Sequence, residues 1–302
     1  MSKQKPGWLY KLIDRLKALR KNPTFSKLLS IVSIIYPLLL IYFSRKEILD
    51  LDWKSFSHIF LICLGIYYVS MALQNLNWSL IVDGGLARFW LNSKVFYQTV
   101  LMKKLPGGVW HWLGRVSFYE LNGGEEVSQI SSSNFIEWLL LILAGLVGFL
   151  FTVNLWLGIA GLLVNLIVGT YLLNRQFANP KKSIFLTGLI TLLYGICWLA
   201  GSLILHFLLI GVNSGLPVDF KSSAAKWCLS SAISMLFFFF PSGALIRDFS
   251  MGALLTKEFE PAKVLLVILQ VRIVFLVADF IWSFLSLQFI NLFKNDSATK
   301  AS

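Results

Sequence analysis

Six runs of mostly apolar residues, each long enough to cross a bilayer as a helix, limit what this chain can fold into. They cover about Lys27–Phe43, Phe56–Val82, Val127–Val153, Leu155–Leu173, Ser183–Ile210 and Ala262–Ile290. A bilayer core takes about 20 such residues per helix. Inside it, every backbone N–H and C=O must be paired within the segment or by surrounding protein. The charged fraction is 14% and the hydrophobic fraction 57%, whereas soluble domains carry about 25% charge. The chain therefore reads as an all-α polytopic membrane protein, with a single transmembrane domain over 27–290. A basic leader (1–26) and a short polar tail (291–302), both expected in the cytoplasm, flank it.

One stretch departs from this pattern. Lys103-Lys104-Leu105-Pro106-Gly107-Gly108-Val109-Trp110-His111-Trp112-Leu113-Gly114-Arg115 puts charge, a helix-breaking Pro-Gly-Gly and aromatic rings between apolar segments. A broken helix frees backbone groups that lipid cannot satisfy, so such breaks persist only where protein or a water-filled cavity encloses them. The two halves, about Lys94–Lys104 and Val109–Glu120, are each about 17 Å long at 1.5 Å per residue, half a bilayer. Trp110 and Trp112 suit either the lining of an acyl-chain path or an interfacial anchor.

Charge sets the orientation. Net charge is +12, and eight of the 27 Lys and Arg lie between Lys3 and Lys27, opposed only by Asp14. Trp8, Leu9, Leu12, Ile13, Leu16 and Leu19 share one helical face. The leader thus reads as an amphipathic helix held on an anionic lipid surface, or as a solvated basic tail. The basic amino terminus belongs in the cytoplasm of a cell-membrane protein. The loop carrying Arg175, Lys181 and Lys182 reaches the same side only if Lys94–Leu121 dips in and returns. A second dip is expected where Ser222–Phe240 breaks at Pro241-Ser242-Gly243, with a return helix bearing Arg247 and Asp248; the alternative, a full crossing by Ser222–Phe240, would put the carboxyl terminus outside. The sum is about six full transmembrane helices and two re-entrant helical hairpins. Because the hairpins enter from opposite sides, they form a pseudo-inverted repeat, an arrangement that marks binding sites in transporters.

Charges within apolar spans are costly and generally face a partner or a cavity. Glu137 lies well inside its span, and Arg272 and Asp279 share a face seven residues apart. They read either as parts of a polar pathway or as ion pairs that fix packing, Glu137 with Arg115 and Arg272 with Asp248. Gln74, Asn75 and Asn77 are expected to face inward. Cys63, Cys197 and Cys228 lack metal-ligand spacing and read as small hydrophobes in packed helices. His58 and His206 are assigned no function. The aromatics sit in spans and at their edges, so the basic balance points to lipid and not to nucleic acid.

The pattern Lys-x-Leu-Pro-Gly-Gly-x-Trp-x-x-x-Gly-Arg (Lys103–Arg115), followed by Glu137 in the next span, resembles the transmembrane domain of the lysylphosphatidylglycerol synthase/flippase family. That family's first motif is a Lys-Tyr-x-Pro-Gly-x-x-Trp type with a downstream Arg. Its later Pro-x-Gly-x-Gly-x-Arg-Glu motif is weakened here, where Pro241-Ser242-Gly243-Ala244-Leu245-Ile246-Arg247-Asp248 loses one Gly and carries Asp for Glu. The resemblance covers about Lys27–Ile290 and implies a standalone, flippase-like member without the soluble synthase domain. It would move a phospholipid or polyprenyl-phosphate-type lipid between leaflets without a cofactor or metal.

A helix starting near Val109 points free N–H groups at the break. Lys103, Lys104, Pro106, Gly107, Gly108, Trp110, His111 and Arg115 then form the candidate site for an anionic lipid headgroup, Arg115 being suited to two parallel bonds to phosphate. Pro241, Gly243, Arg247, Asp248, Arg272 and Asp279 form its counterpart in the second half. Two other functions remain open: an integral-membrane lipid transferase using His111, Glu120 or Glu137, and a membrane partner subunit of a glycosyltransferase or synthase.

Overall fold

A computed structural model describes residues 53–100, 102, 110–122, 127–212, 217–237 and 243–299, with isolated positions 42, 45 and 49. At 53–55, 121–122, 243–244 and 289–299 it describes the backbone alone. The leader, the span expected at 27–43 apart from Tyr42, the stretch from Lys103 to Val109 and Pro241-Ser242 lie outside these residues.

Nine helices and no strand occur among the described residues: α1 (Trp53–Asp83), α2 (Phe89–Val100), α3 (Trp110–Asn122), α4 (Val127–Val153), α5 (Leu155–Phe177), α6 (Pro180–Val212), α7 (Phe220–Leu236), α8 (Gly243–Leu255) and α9 (Pro261–Thr299). Five are long and apolar enough to cross a membrane: α1, α4, α5, α6 and α9. They coincide with five of the six spans expected from the sequence. The other four have 12, 13, 17 and 13 residues and form two pairs, α2–α3 and α7–α8.

Local chemistry sets the helix ends. α1 stops at Asp83, where Gly84 takes φ +64 and returns its N–H to Leu80 O at 2.9 Å. Only glycine enters that region without steric cost. Asn154 alone separates α4 from α5 and caps α5 by accepting the Trp156 N–H at 2.8 Å. The expected loop Asn174–Lys182 shrinks to Ala178 and Asn179. α5 continues to Phe177, Ala178 closes it with φ 51 and an N–H to Asn174 O at 2.8 Å, and Pro180 opens α6. Proline suits that first helical position, whose N–H would be unpaired anyway. α2 likewise begins and ends earlier than the expected Lys94–Lys104, and α9 runs helical through the expected tail to Thr299.

The ends of these helices gather into two groups. At one end of the bundle, Gln176 near the close of α5 donates to Ile81 O (2.7 Å) on α1 and to Ser133 Oγ (3.0 Å) on α4. The stop of α1, the start of α4 and the α5–α6 junction are therefore neighbours, and the α2–α3 pair both leaves from and returns to this end. At the other end, Lys226 on α7 pairs with Glu258 in the α8–α9 turn. The α7–α8 pair thus begins and finishes there.

Interior helices seat indoles in glycine notches. Trp198 of α6 lies against Gly145 of α4, and Trp227 of α7 against Gly201 of α6. A Cβ on Gly201 would stand 2.1 Å from Trp227 Nε1. Gly201→Ala will therefore force α6 and α7 apart, at about 1–3 kcal/mol, the usual cost of overpacking. Thermal denaturation in detergent reads this, and an unchanged midpoint would mean the notch has slack. Among the described spans α5 is the least buried, exposing Leu155, Trp156, Leu163, Ile167 and Tyr171, as a lipid-facing helix does.

Candidate functional site

Arg115 is 0% exposed. From the middle of α3 it enters a cage built by α1, α2 and α4. Nη1 bonds closely to Glu137 Oε2 and reaches Asn134 Oδ1 at 3.2 Å, and Nη2 reaches Glu137 Oε1 at 3.4 Å. The guanidinium lies over the Trp78 ring, 3.8 Å from its centroid, with Phe96 at 5.3 Å. Such cation–π contacts gain strength when water is excluded. Of its nitrogens only Nε lacks a hydrogen bond among the described residues.

A chain of hydrogen bonds leads from this cage to the end of α1. Trp78 Nε1 donates to Tyr119 Oη (3.2 Å), Tyr119 to Asn92 Oδ1 (2.6 Å), and Asn92 Nδ2 to Asp83 Oδ2 (2.7 Å), which also pairs with Arg88. This chain of paired groups, from buried Trp78 to half-exposed Arg88, holds α2 and α3 against α1. Asn75 joins α2 by donating to Ser93 Oγ at 2.8 Å. Asn77 is fully enclosed, and neither of its amide atoms finds a partner among the described residues.

The second cluster gathers side chains of α8, α7 and α9, with Tyr67 of α1 joining it through α9. Asp248, 0% exposed, accepts a close bond from Arg272 Nε and a longer one, 3.4 Å, from Arg247 Nε. Arg247 lies beside Phe275 and Trp227, 5.2 and 5.5 Å from their centroids. One turn beyond Phe275, Asp279 accepts from the Tyr67 hydroxyl of α1. Tyr67 stands near the middle of α1 and its ring packs on Phe275 at 4.7 Å, so this cluster lies deep in the bundle.

The structure thus brings together Arg115 with Glu137, and Arg247 with Asp248 and Arg272. Both ion pairs considered from the sequence form. Asp279 is drawn to Tyr67 of α1. Arg115 is closed off in this conformation and faces a carboxylate, not an opening. Trp112 stands edge-on to Trp138 of α4 at 6.5 Å, beside His111 at 6.3 Å. Trp110 and His111 are half-buried at the start of α3. Lys103, Lys104, Pro106, Gly107, Gly108 and Pro241 lie outside the described residues, and Gly243 begins α8. Sequence reasoning missed Trp78, Asn92, Tyr119, Asn134, Tyr67 and Trp227. Asn92 and Asn134 carried a readable signal, each an amide next to apolar residues.

Trp138 also donates from Nε1 to Met235 O (3.0 Å), at the close of α7. One α4 side chain therefore reaches both the start of α3 and the close of α7. Among the described residues no group of three His, Cys, Asp or Glu side chains is placed to hold a metal ion. Cys63, Cys197 and Cys228 are buried and free. No protein-family model, curated protein or solved structure matches this chain.

Proposed function

We propose that this chain is a flippase-like membrane protein that binds a phospholipid or polyprenyl-phosphate-type lipid and moves it between leaflets. The observation that carries this reading is a charge relation repeated in both halves. The return helix of each short pair is ion-paired to the span that follows it, Arg115 to Glu137 and Asp248 to Arg272, 22 and 24 residues apart, with the charges exchanged. Buried charges paired across interrupted helices are where membrane transporters hold their substrates.

The finer architecture in this proposal has six spans, the first at 27–43, and two re-entrant hairpins, α2–α3 and α7–α8, related as an inverted repeat. It is supported by the hairpins opening at opposite ends of the bundle. Arg175, Lys181 and Lys182 stand at the same end as Asp83 and Arg88, which supports a cytoplasmic assignment for that end and for the amino terminus in a cell membrane. The likeness of Lys103–Arg115 to the lysylphosphatidylglycerol synthase/flippase family points the same way.

In this reading Glu137 occupies the guanidinium face of Arg115 at rest. A headgroup phosphate takes the same two-point geometry when the carboxylate withdraws. Purified protein in liposomes holding a headgroup-labelled fluorescent phospholipid tests the proposal. An impermeant reductant should bleach probe from both leaflets. An inner-leaflet pool as protected as in protein-free liposomes would rule out translocation.

A further inference from the structure

Asp248 is shared unequally. It holds Arg272 closely, while Arg247 reaches it only through Nε at 3.4 Å. The terminal amino groups of Arg247 have no hydrogen-bond partner among the described residues, and unlike Arg115 Nε they are not sealed in protein. The side chain nevertheless keeps only 15% exposure. Its position is fixed from one side: Trp227 and Phe275 lie beside the guanidinium and meet each other edge-on at 5.5 Å, and Trp227 is seated against Gly201.

A guanidinium deep in a membrane bundle with two unused donors is an unfinished interaction. Carboxylate and phosphate both match a guanidinium's paired N–H groups. The carboxylate that Arg247 approaches, Asp248, is already committed to Arg272. Two aromatic rings beside the charge suit a ligand whose hydrocarbon begins next to its anionic group.

We propose that Arg247 is the anion-receiving group of a phosphate-ester site formed by α7, α8 and α9, separate from the closed Arg115 cage. Its terminal nitrogens grip two phosphate oxygens, and Trp227 and Phe275 flank the adjoining apolar portion. Arg272 and Asp248 hold the site's framework. The choice of a lipid ligand rests on the lipid-handling reading above.

Native mass spectrometry of the full chain, released from detergent with dioleoylphosphatidylglycerol, tests the site. Wild type should retain the phospholipid and not dioleoylglycerol, which lacks the phosphate. Arg247→Gln should weaken retention on the order of tenfold, the loss of a charged hydrogen-bond pair, with an unchanged melting midpoint. Displacement by millimolar inorganic phosphate would support the phosphate site with the free anion as ligand. Equal retention of dioleoylglycerol, or wild-type retention by a folded Arg247→Gln, overturns the proposal. If Arg247→Gln does not fold, Arg247→Lys replaces it. That variant keeps the charge but loses the fork, so equal retention overturns the proposal there too. Protein that holds the phospholipid yet fails to move it between leaflets refutes translocation and leaves this site standing. Protein that holds none refutes the site.

Discussion

Glu137→Ala will destabilise the protein by about 3–5 kcal/mol, the cost of stranding one member of a buried ion pair. The partner left behind is Arg115, which is 0% exposed and has Asn134 Oδ1 as its remaining hydrogen-bond acceptor in the cage. Trp78 and Phe96 remain against the guanidinium but do not replace a carboxylate. Thermal denaturation in detergent, followed by helical circular dichroism, measures the loss. Joint replacement, Arg115→Met with Glu137→Leu, should recover most of it, because apolar side chains of similar volume substitute well for buried pairs. A Glu137→Ala protein melting like wild type would show that the pair contributes little and that the cage is held by its aromatic and amide contacts.

The second large effect is expected at Asp248. Asp248→Ala removes the carboxylate that both Arg272 and Arg247 approach and leaves two cations facing each other in the bundle interior. Its cost should also reach about 3–5 kcal/mol. Arg247→Gln should shift the same melting midpoint little, since Arg272 keeps its close bond to Asp248. Comparable losses from the two variants would mean that Arg247 is as structurally committed as Arg272, and that its terminal donors are not held in reserve for a ligand.

The spans were legible because membrane helices obey one strong rule, continuous apolar length with internal backbone pairing. The boundary at Val127–Val153 and the stop at Asp83-Gly84 could be read directly. The α5–α6 junction was read too long. Arg175 and the residues around it look like a polar loop, but a helix end tolerates exposed charge, and the turn itself is only Ala178-Asn179. The two ion pairs were among the readings available from spacing and charge. Their surroundings were not, because Trp78 precedes Arg115 by a whole hairpin and Tyr67 lies far before Asp279 in the chain. Nothing in the local pattern around Trp78 separates a ring that carries an arginine from one that packs in the core. The enclosure of Arg115 depends on α1, α2 and α4 closing together, a property of the assembled bundle.

The spacing of the two ion pairs bears on how such a molecule is made. A ribosome delivers Arg115 to the membrane before Glu137 exists and Asp248 before Arg272, yet in each case the counter-charge emerges within the next helix. Each half is thereby neutralised by its own successor during synthesis, without waiting for distant parts of the chain. The charges of each half can thus be neutralised early, while the packing of α1 on the last span, through Tyr67 and Asp279, waits until the chain is nearly finished.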